Sequence, residues 1–165
     1  METFPRAGFR RRLGSYVYDF LLSIAVYMFA GAIAFVVFGL LFVQGVIDNQ
    51  GYEHAIDLKN NSFFYESIIT GWGLFWVGFF FVFFWAKSGQ TIGMRAWRLR
   101  VQNLDGSKIT KKTGVKRLFF TLMGLGNLIV IFDRKNKLSL QDRFSDTEVV
   151  VLSLEANKAR SGEIK

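Results

Sequence analysis

The sequence predicts a membrane protein, mainly α-helical. It has two long transmembrane helices, a short broken or re-entrant third hydrophobic segment, and a small cytoplasmic β hairpin or three-stranded sheet. Phe20 to Val43 is a run of 24 residues without a charge, and Ser67 to Ala86 is a second of about twenty. Each is long enough to cross a hydrocarbon core of roughly 30 Å at 1.5 Å per residue. The distribution of charge then orients them. Arg6, Arg10, Arg11 and Arg12 precede the first run, and Asp48, Glu53, Asp57 and Glu66 lie between the runs with Lys59. Lys87, Arg95, Arg98, Arg100, Lys108, Lys111, Lys112, Lys116 and Arg117 follow the second, opposed by Asp105. An excess of Lys and Arg marks the cytoplasmic side, so the N-terminus and the 87–117 loop are expected inside and the 44–66 loop outside.

The first segment is expected as one helix from about Phe9 to Val43, spanning at 13–43, with its basic first turns in the interface. No small-residue cleavage site follows it, and it is longer than a signal-peptide core, so it is expected to remain in the mature protein. The second span, 67–86, carries Trp85 near one end, with Tyr65 just before the other, suiting aromatic belts. Gly71, Gly73 and Gly78, with Gly31 and Ala34 on the first helix, would allow close helix packing. The third segment is different. Leu118 to Phe132 is only 15 residues long, is interrupted by Gly124, Gly126 and Asn127, and has basic flanks on both sides (Lys116 and Arg117, then Arg134, Lys135 and Lys137). A broken hairpin over 115–132 that returns to the cytoplasmic side fits these facts, and a short spanning helix is the rival.

The soluble pieces follow from alternation and turn chemistry. Trp97 to Gln102 alternates as a strand does, Asp105-Gly106 is a turn signal, and Lys108 to Thr110 is the expected return strand. Thr147 to Leu152 is a further strand, expected to join because a lone hairpin is marginal in water. One domain therefore covers 8–152, and 153–165 are expected as a flexible cytoplasmic tail.

Composition excludes several kinds of chemistry. The 165 residues are 51% hydrophobic, carry a net charge of +8, and include no cysteine and one histidine, His54. Thiolate metal sites and disulfides are excluded, and a His-based zinc or Ser-His-Asp centre lacks its parts. No cofactor is expected, and no enzymatic activity, since no nucleophile–base pair is recognisable. The basic residues flank spans, which favours anionic lipid headgroups over nucleic acid as their partner.

What remains is a polar stripe on the first helix. Arg12, Tyr16, Asp19, Ser23 and Tyr27 are spaced 4, 3, 4 and 4, hence on one face. Polar groups entering a bilayer should face protein or water. One reading is a cation or proton site in which Asp19 binds or titrates while tyrosine and serine hydroxyls act as neutral ligands. The other is structural, with Arg12 and Asp19 pinning the helix end.

Three stretches carry a resemblance. Gly8-Phe9-Arg10-Arg11-Arg12-Leu13-Gly14-Ser15-Tyr16-Val17-Tyr18-Asp19 resembles the opening of the RDD family of small prokaryotic membrane proteins. Gly89-Gln90-Thr91-Ile92-Gly93-Met94-Arg95 resembles that family's segment after the second span. Phe132 to Arg143 followed by Thr147-Glu148-Val149-Val150 is similar to its C-terminal signature. The resemblance implies that the family's arginine and two aspartates are Arg12, Asp19 and Asp142. Gln141 stands where the family often has a histidine. It also implies a transport role of unspecified ligand, while the basic flanks and the pairing of the last strand lead to a bacterial inner-membrane protein with both termini expected on the cytoplasmic side. If the third segment folds back, Asp142 and Asp133 return to the face where the first helix begins, and Arg12 could bridge Asp19 and Asp142. Two functions then compete. One is a small transporter, cation or proton coupled through Asp19 and working as a homo-oligomer. The other is a non-transporting scaffold or accessory subunit in which Arg12, Asp19 and Asp142 form a clamp.

Overall fold

A computed structural model describes residues 4–133 and 135–162. Arg134 and residues 163–165, part of the basic flank and of the tail considered above, lie outside the described residues. Helix α1 runs from Phe9 to Val43 and α3 from Phe63 to Ser88, and both are long and apolar enough to cross a membrane. The short α2, Ala55–Asn61, lies between them and buries Leu58. Contacts divide the chain into two compact units, Met1–Leu22 with Gly78–Lys165, and Ser23–Val77.

In the 23–77 unit, the spanning helices leave large apolar side chains uncovered, among them Met28, Phe29, Val36, Leu74 and Phe75. Such exposure would be costly in water and is ordinary against lipid. Tyr27 packs on Gly73, where an added Cβ would meet the ring at 2.6 Å, while Gly31 and Gly71 face open space. Of the glycines expected to bring helices together, Gly73 therefore does so here. Phe38 and Tyr65 pair their rings at 5.1 Å.

The other unit is a small core wrapped in short elements. Helix α3 stops at Gly89, whose φ of +74° is the left-handed conformation that closes a helix at least cost to glycine. Thr91 caps the five-residue α4, Ile92–Ala96, by accepting the N–H of Met94 at 3.2 Å. Strand β1, Leu99–Asn103, pairs antiparallel with β2, Thr147–Val151, in a register running from Leu99 opposite Val151 to Asn103 opposite Thr147. Ala7, Trp85, Met94, Leu99, Val101, Ile109 and Val149 form the core beneath this sheet.

Two sequence expectations change here. Among the described residues the sheet has two strands, and Lys108–Thr110 does not return along β1. The turn at Asp105-Gly106 does form, with Gly106 N–H donating to Asn103 at 2.9 Å. Beyond it Thr110 accepts the N–H of Thr113 at 3.1 Å and leads into α5, Lys111–Thr121. The far edge of β2 is met by the segment before α1 instead: Ala7 donates to Val149, Val151 donates to Pro5, each at 2.8 Å, and Arg6 bridges Val150. Trp85, expected in an aromatic belt, is buried in the core, where the Arg117 guanidinium lies 5.5 Å from its ring centroid.

The third hydrophobic segment is broken. Helix α5 passes into a 3₁₀ turn, Leu122–Leu128, and then α6, Ile129–Phe132, and the arms bend by 82°. Gly124 turns at a φ of +97° against the ring of Tyr16, where any Cβ would sit 2.6 Å from a ring carbon. Helix α7, Leu140–Phe144, follows, and Leu154–Gly162 form α8. Asn157 on α8 accepts from Gln90 Nε2 at 2.9 Å and donates to the Arg95 carbonyl at 3.3 Å.

Candidate functional site

Two buried carboxylates stand out, and they are built from different materials. Asp142 is 1% exposed. Ser139 begins α7 with a capping box: its hydroxyl accepts the Asp142 N–H, and the Asp142 carboxylate accepts the Ser139 N–H at 3.0 Å. That reciprocal pair satisfies two backbone donors and fixes the carboxylate's orientation. Arg12 Nη1 then donates to Asp142 Oδ2 and Arg117 Nη1 to Oδ1, each at 2.7 Å. Arg12 is fully committed on this side, donating also to Ser139 Oγ at 3.2 Å and to the carbonyls of Ala7 at 3.1 Å and Lys137 at 2.9 Å. Arg117 also donates to Thr147 Oγ1, so a single cluster ties α1, α5, α7 and β2 together.

Charge balance explains why this burial is tolerated. Burial pushes the Asp142 carboxyl upward, but Arg117 and Arg12, with the hydrogen bonding at Ser139, outweigh it and hold the carboxyl below its usual range. Two guanidiniums around one carboxylate leave a local excess of positive charge. Trp85 meets part of it with the face of its ring, a favourable placement for a cation.

Asp19, 4% exposed, lies two turns along α1 from Arg12. Its described donors are the Thr91 hydroxyl at 2.5 Å, the Gly93 N–H at 2.9 Å and the Ser15 hydroxyl at 3.5 Å. Gly93 is required by proximity: a Cβ there would lie 2.5 Å from the Ser15 carbonyl and 2.7 Å from Asp19 Oδ1. The Thr91 hydroxyl gives its proton to Asp19 and takes the Met94 N–H, so one side chain both caps α4 and docks it on α1.

The stripe read from the sequence is thus distributed. Arg12 joins Asp142 and Arg117, Asp19 joins α4, and half-buried Tyr16 packs on Gly124. Ser23, half-buried, lies in the 23–77 unit. Asp133 is separate from both carboxylates. It accepts the Asn136 N–H at 3.0 Å, the Leu138 N–H at 3.4 Å and Arg143 Nη2 at 2.8 Å, which hold its carboxyl low and shape the loop before α7. Gln141, in the histidine-bearing position of the resemblance, donates to Asn127 Oδ1 at 2.9 Å and so fastens α7 to the 3₁₀ turn. Among the described residues no three of His, Asp and Glu gather as metal ligands.

Arg117, Thr91, Gly93, Ser15 and Ser139 were not anticipated as site residues. Ser139 could have been read from the Ser-x-x-Asp spacing of a helix start. Nothing local distinguishes Arg117 from the neighbouring Lys116, because its role depends on a carboxylate 25 residues away.

These features define a helical integral membrane protein with a charged centre at the start of its first span. The family model of the RDD family matches residues 6–146, and the chain belongs to that family. Comparison with curated proteins and with solved structures found no match.

Proposed function

We propose that this RDD protein is a small bacterial inner-membrane transporter, cation or proton coupled, with Asp19 as its working carboxylate. The observation that carries the reading is a carboxylate buried in a spanning helix and held by the hydroxyls of Ser15 and Thr91 and the N–H of Gly93. Intramembrane carboxylates are expensive, and proton relays and ion paths are where they recur. Asp142, held by two guanidiniums, serves in this reading as frame and not as the group that turns over. Tyr16 on the same helix supplies a further hydroxyl, and Asp133 organises the cytoplasmic mouth. Beyond proton exchange at Asp19, the proposed mechanism makes and breaks no covalent bond and calls for no cofactor. Two spans enclose little of a pathway, so the working form is a homo-oligomer. Both termini are cytoplasmic, in keeping with the basic flanks.

One observation favours the accessory-subunit reading. The Thr91 hydroxyl beside Asp19 already serves two hydrogen bonds, which suits a clamp better than an ion ligand. Proton flux in liposomes containing the purified protein separates the two, using Na⁺, K⁺ or Li⁺ under an imposed pH gradient. Cation-dependent flux that disappears in folded Asp19→Asn is the expected result. Absence of flux with all three cations would move the assignment to the accessory subunit.

A further inference from the structure

At the start of α1 an open groove of about 540 Å³ is lined by Phe9, Arg10, Arg11, Val130, Ile131 and Lys137. Its chemistry is divided. Arg10, Arg11 and Lys137 put three cations on it, while Phe9, Val130 and Ile131 make an apolar wall. The neighbouring arginines each have a carboxylate partner, Arg6 in Glu148 at 2.8 Å and Arg12 in Asp142 at 2.7 Å, which it shares with Arg117. Among the described residues no carboxylate pairs with Arg10, Arg11 or Lys137. The first turn of α1 contains no acidic residue either, so these cations crowd the positive end of a helix dipole. An unneutralised arrangement of this kind favours an anion from outside the chain.

The surroundings say which anion. Leu13, Val17 and Tyr18 on α1 are exposed, and so are Leu125, Leu128 and Phe132 beside the far wall. Leu13 is one helical turn from Arg10, so apolar surface suited to acyl chains begins about 5 Å along the axis from the cations. A free anion would use the cations alone, whereas an anionic glycerophospholipid would use both halves. The volume lies within the range of small-molecule sites. Basic pockets beside spanning helices on the cytoplasmic side are where such headgroups are held.

We infer that this groove is a specific site for one anionic phospholipid, its phosphate held by Arg10, Arg11 and Lys137 and its acyl chains lying over Ile131 and the exposed α1 face. The site is independent of the transport reading. It differs from general attraction of a basic loop to a membrane, because it predicts stoichiometry and position.

Native mass spectrometry of the full chain released from nanodiscs of phosphatidylcholine with a minority of phosphatidylglycerol tests it. Wild type should retain one phosphatidylglycerol per chain in preference to phosphatidylcholine, and millimolar inorganic phosphate should leave it in place. Arg10→Gln/Arg11→Gln/Lys137→Gln should weaken retention on the order of a hundredfold, from several-fold per lost cation. Lys111→Gln/Lys112→Gln/Lys116→Gln, which removes as much charge outside the groove, should leave retention unchanged. If the groove triple variant does not fold, Arg10→Gln/Lys137→Gln serves, with a loss of roughly tenfold or more. Equal loss in groove and control variants, equal retention of phosphatidylcholine, or displacement by phosphate would each overturn the inference.

Discussion

The two acids at the start of the first span respond to substitution in different ways because their compensation differs. Asp142→Asn would leave Arg12 and Arg117 buried around a neutral amide, and losing one member of a buried ion pair costs about 3–5 kcal/mol. Chemical or thermal unfolding in detergent should register a loss of that size, whereas Arg143→Gln, which breaks the exposed pair with Asp133, should cost at most about 1 kcal/mol. The same carboxylate gives a pH signature. Its folded pKa lies below the ordinary value of 3.8, so the unfolded chain binds the proton more readily in that window. Its contribution is complete above the ordinary value and is lost as pH falls through the depressed one. Wild type should lose stability below about pH 4, and Asp142→Asn should lack that part of the slope. At the other acid, Gly93→Ala forces a methyl against Ser15 and Asp19 and should destabilise by about 1–3 kcal/mol. A stability unchanged from wild type would mean that α4 moves off α1 without cost.

Short elements in this protein are held by caps more than by their own length. Helix α7 has five residues and α4 five, well below what is stable alone in water. Ser139 starts α7, orients Asp142 and receives Arg12. Ser139→Ala removes the hydroxyl that caps α7 and receives Arg12 while keeping the N–H that Asp142 accepts, so its cost should exceed the ~1 kcal/mol typical of an isolated cap and approach ~2 kcal/mol. Ser139→Thr, which keeps the hydroxyl, should recover most of that loss in the same unfolding assay. The broken third segment has a comparable logic. Its bend is held where Tyr16 closes on Gly124 and Gln141 fastens to Asn127, so irregular backbone is covered by protein.

For the whole chain, the charge pattern and the 82° bend carry a topology that native cysteines do not complicate, since there are none. Single cysteines at Asn60 and Asn136 should be labelled by a membrane-impermeant thiol reagent from opposite sides of intact vesicles. Labelling of both from the outside would turn the third segment into a full span and remove the route by which Asp142 reaches Arg12. The apolar surfaces left on α1 and α3 suit a lipid bilayer.

The long helices were legible in the sequence because length and hydropathy suffice for a span: α1 is expected over Phe9–Val43 and forms there. The strands at Leu99 and Thr147, the break at Gly124 to Asn127 and the membership in the RDD family were legible in the same local way. The partners were not. Which arginine meets which aspartate depends on the fold beyond an 82° bend, which lets α7 bring Asp142 to Arg117 while α4 brings Thr91 and Gly93 to Asp19. Likewise the second neighbour of β2 comes from Pro5 to Ala7, because Thr110 is needed to start α5. Hydropathy is a sum over neighbours along the chain and survives without a fold. A buried charge is stabilised only by groups the fold carries to it, so the pairing of the polar centre was decided in three dimensions.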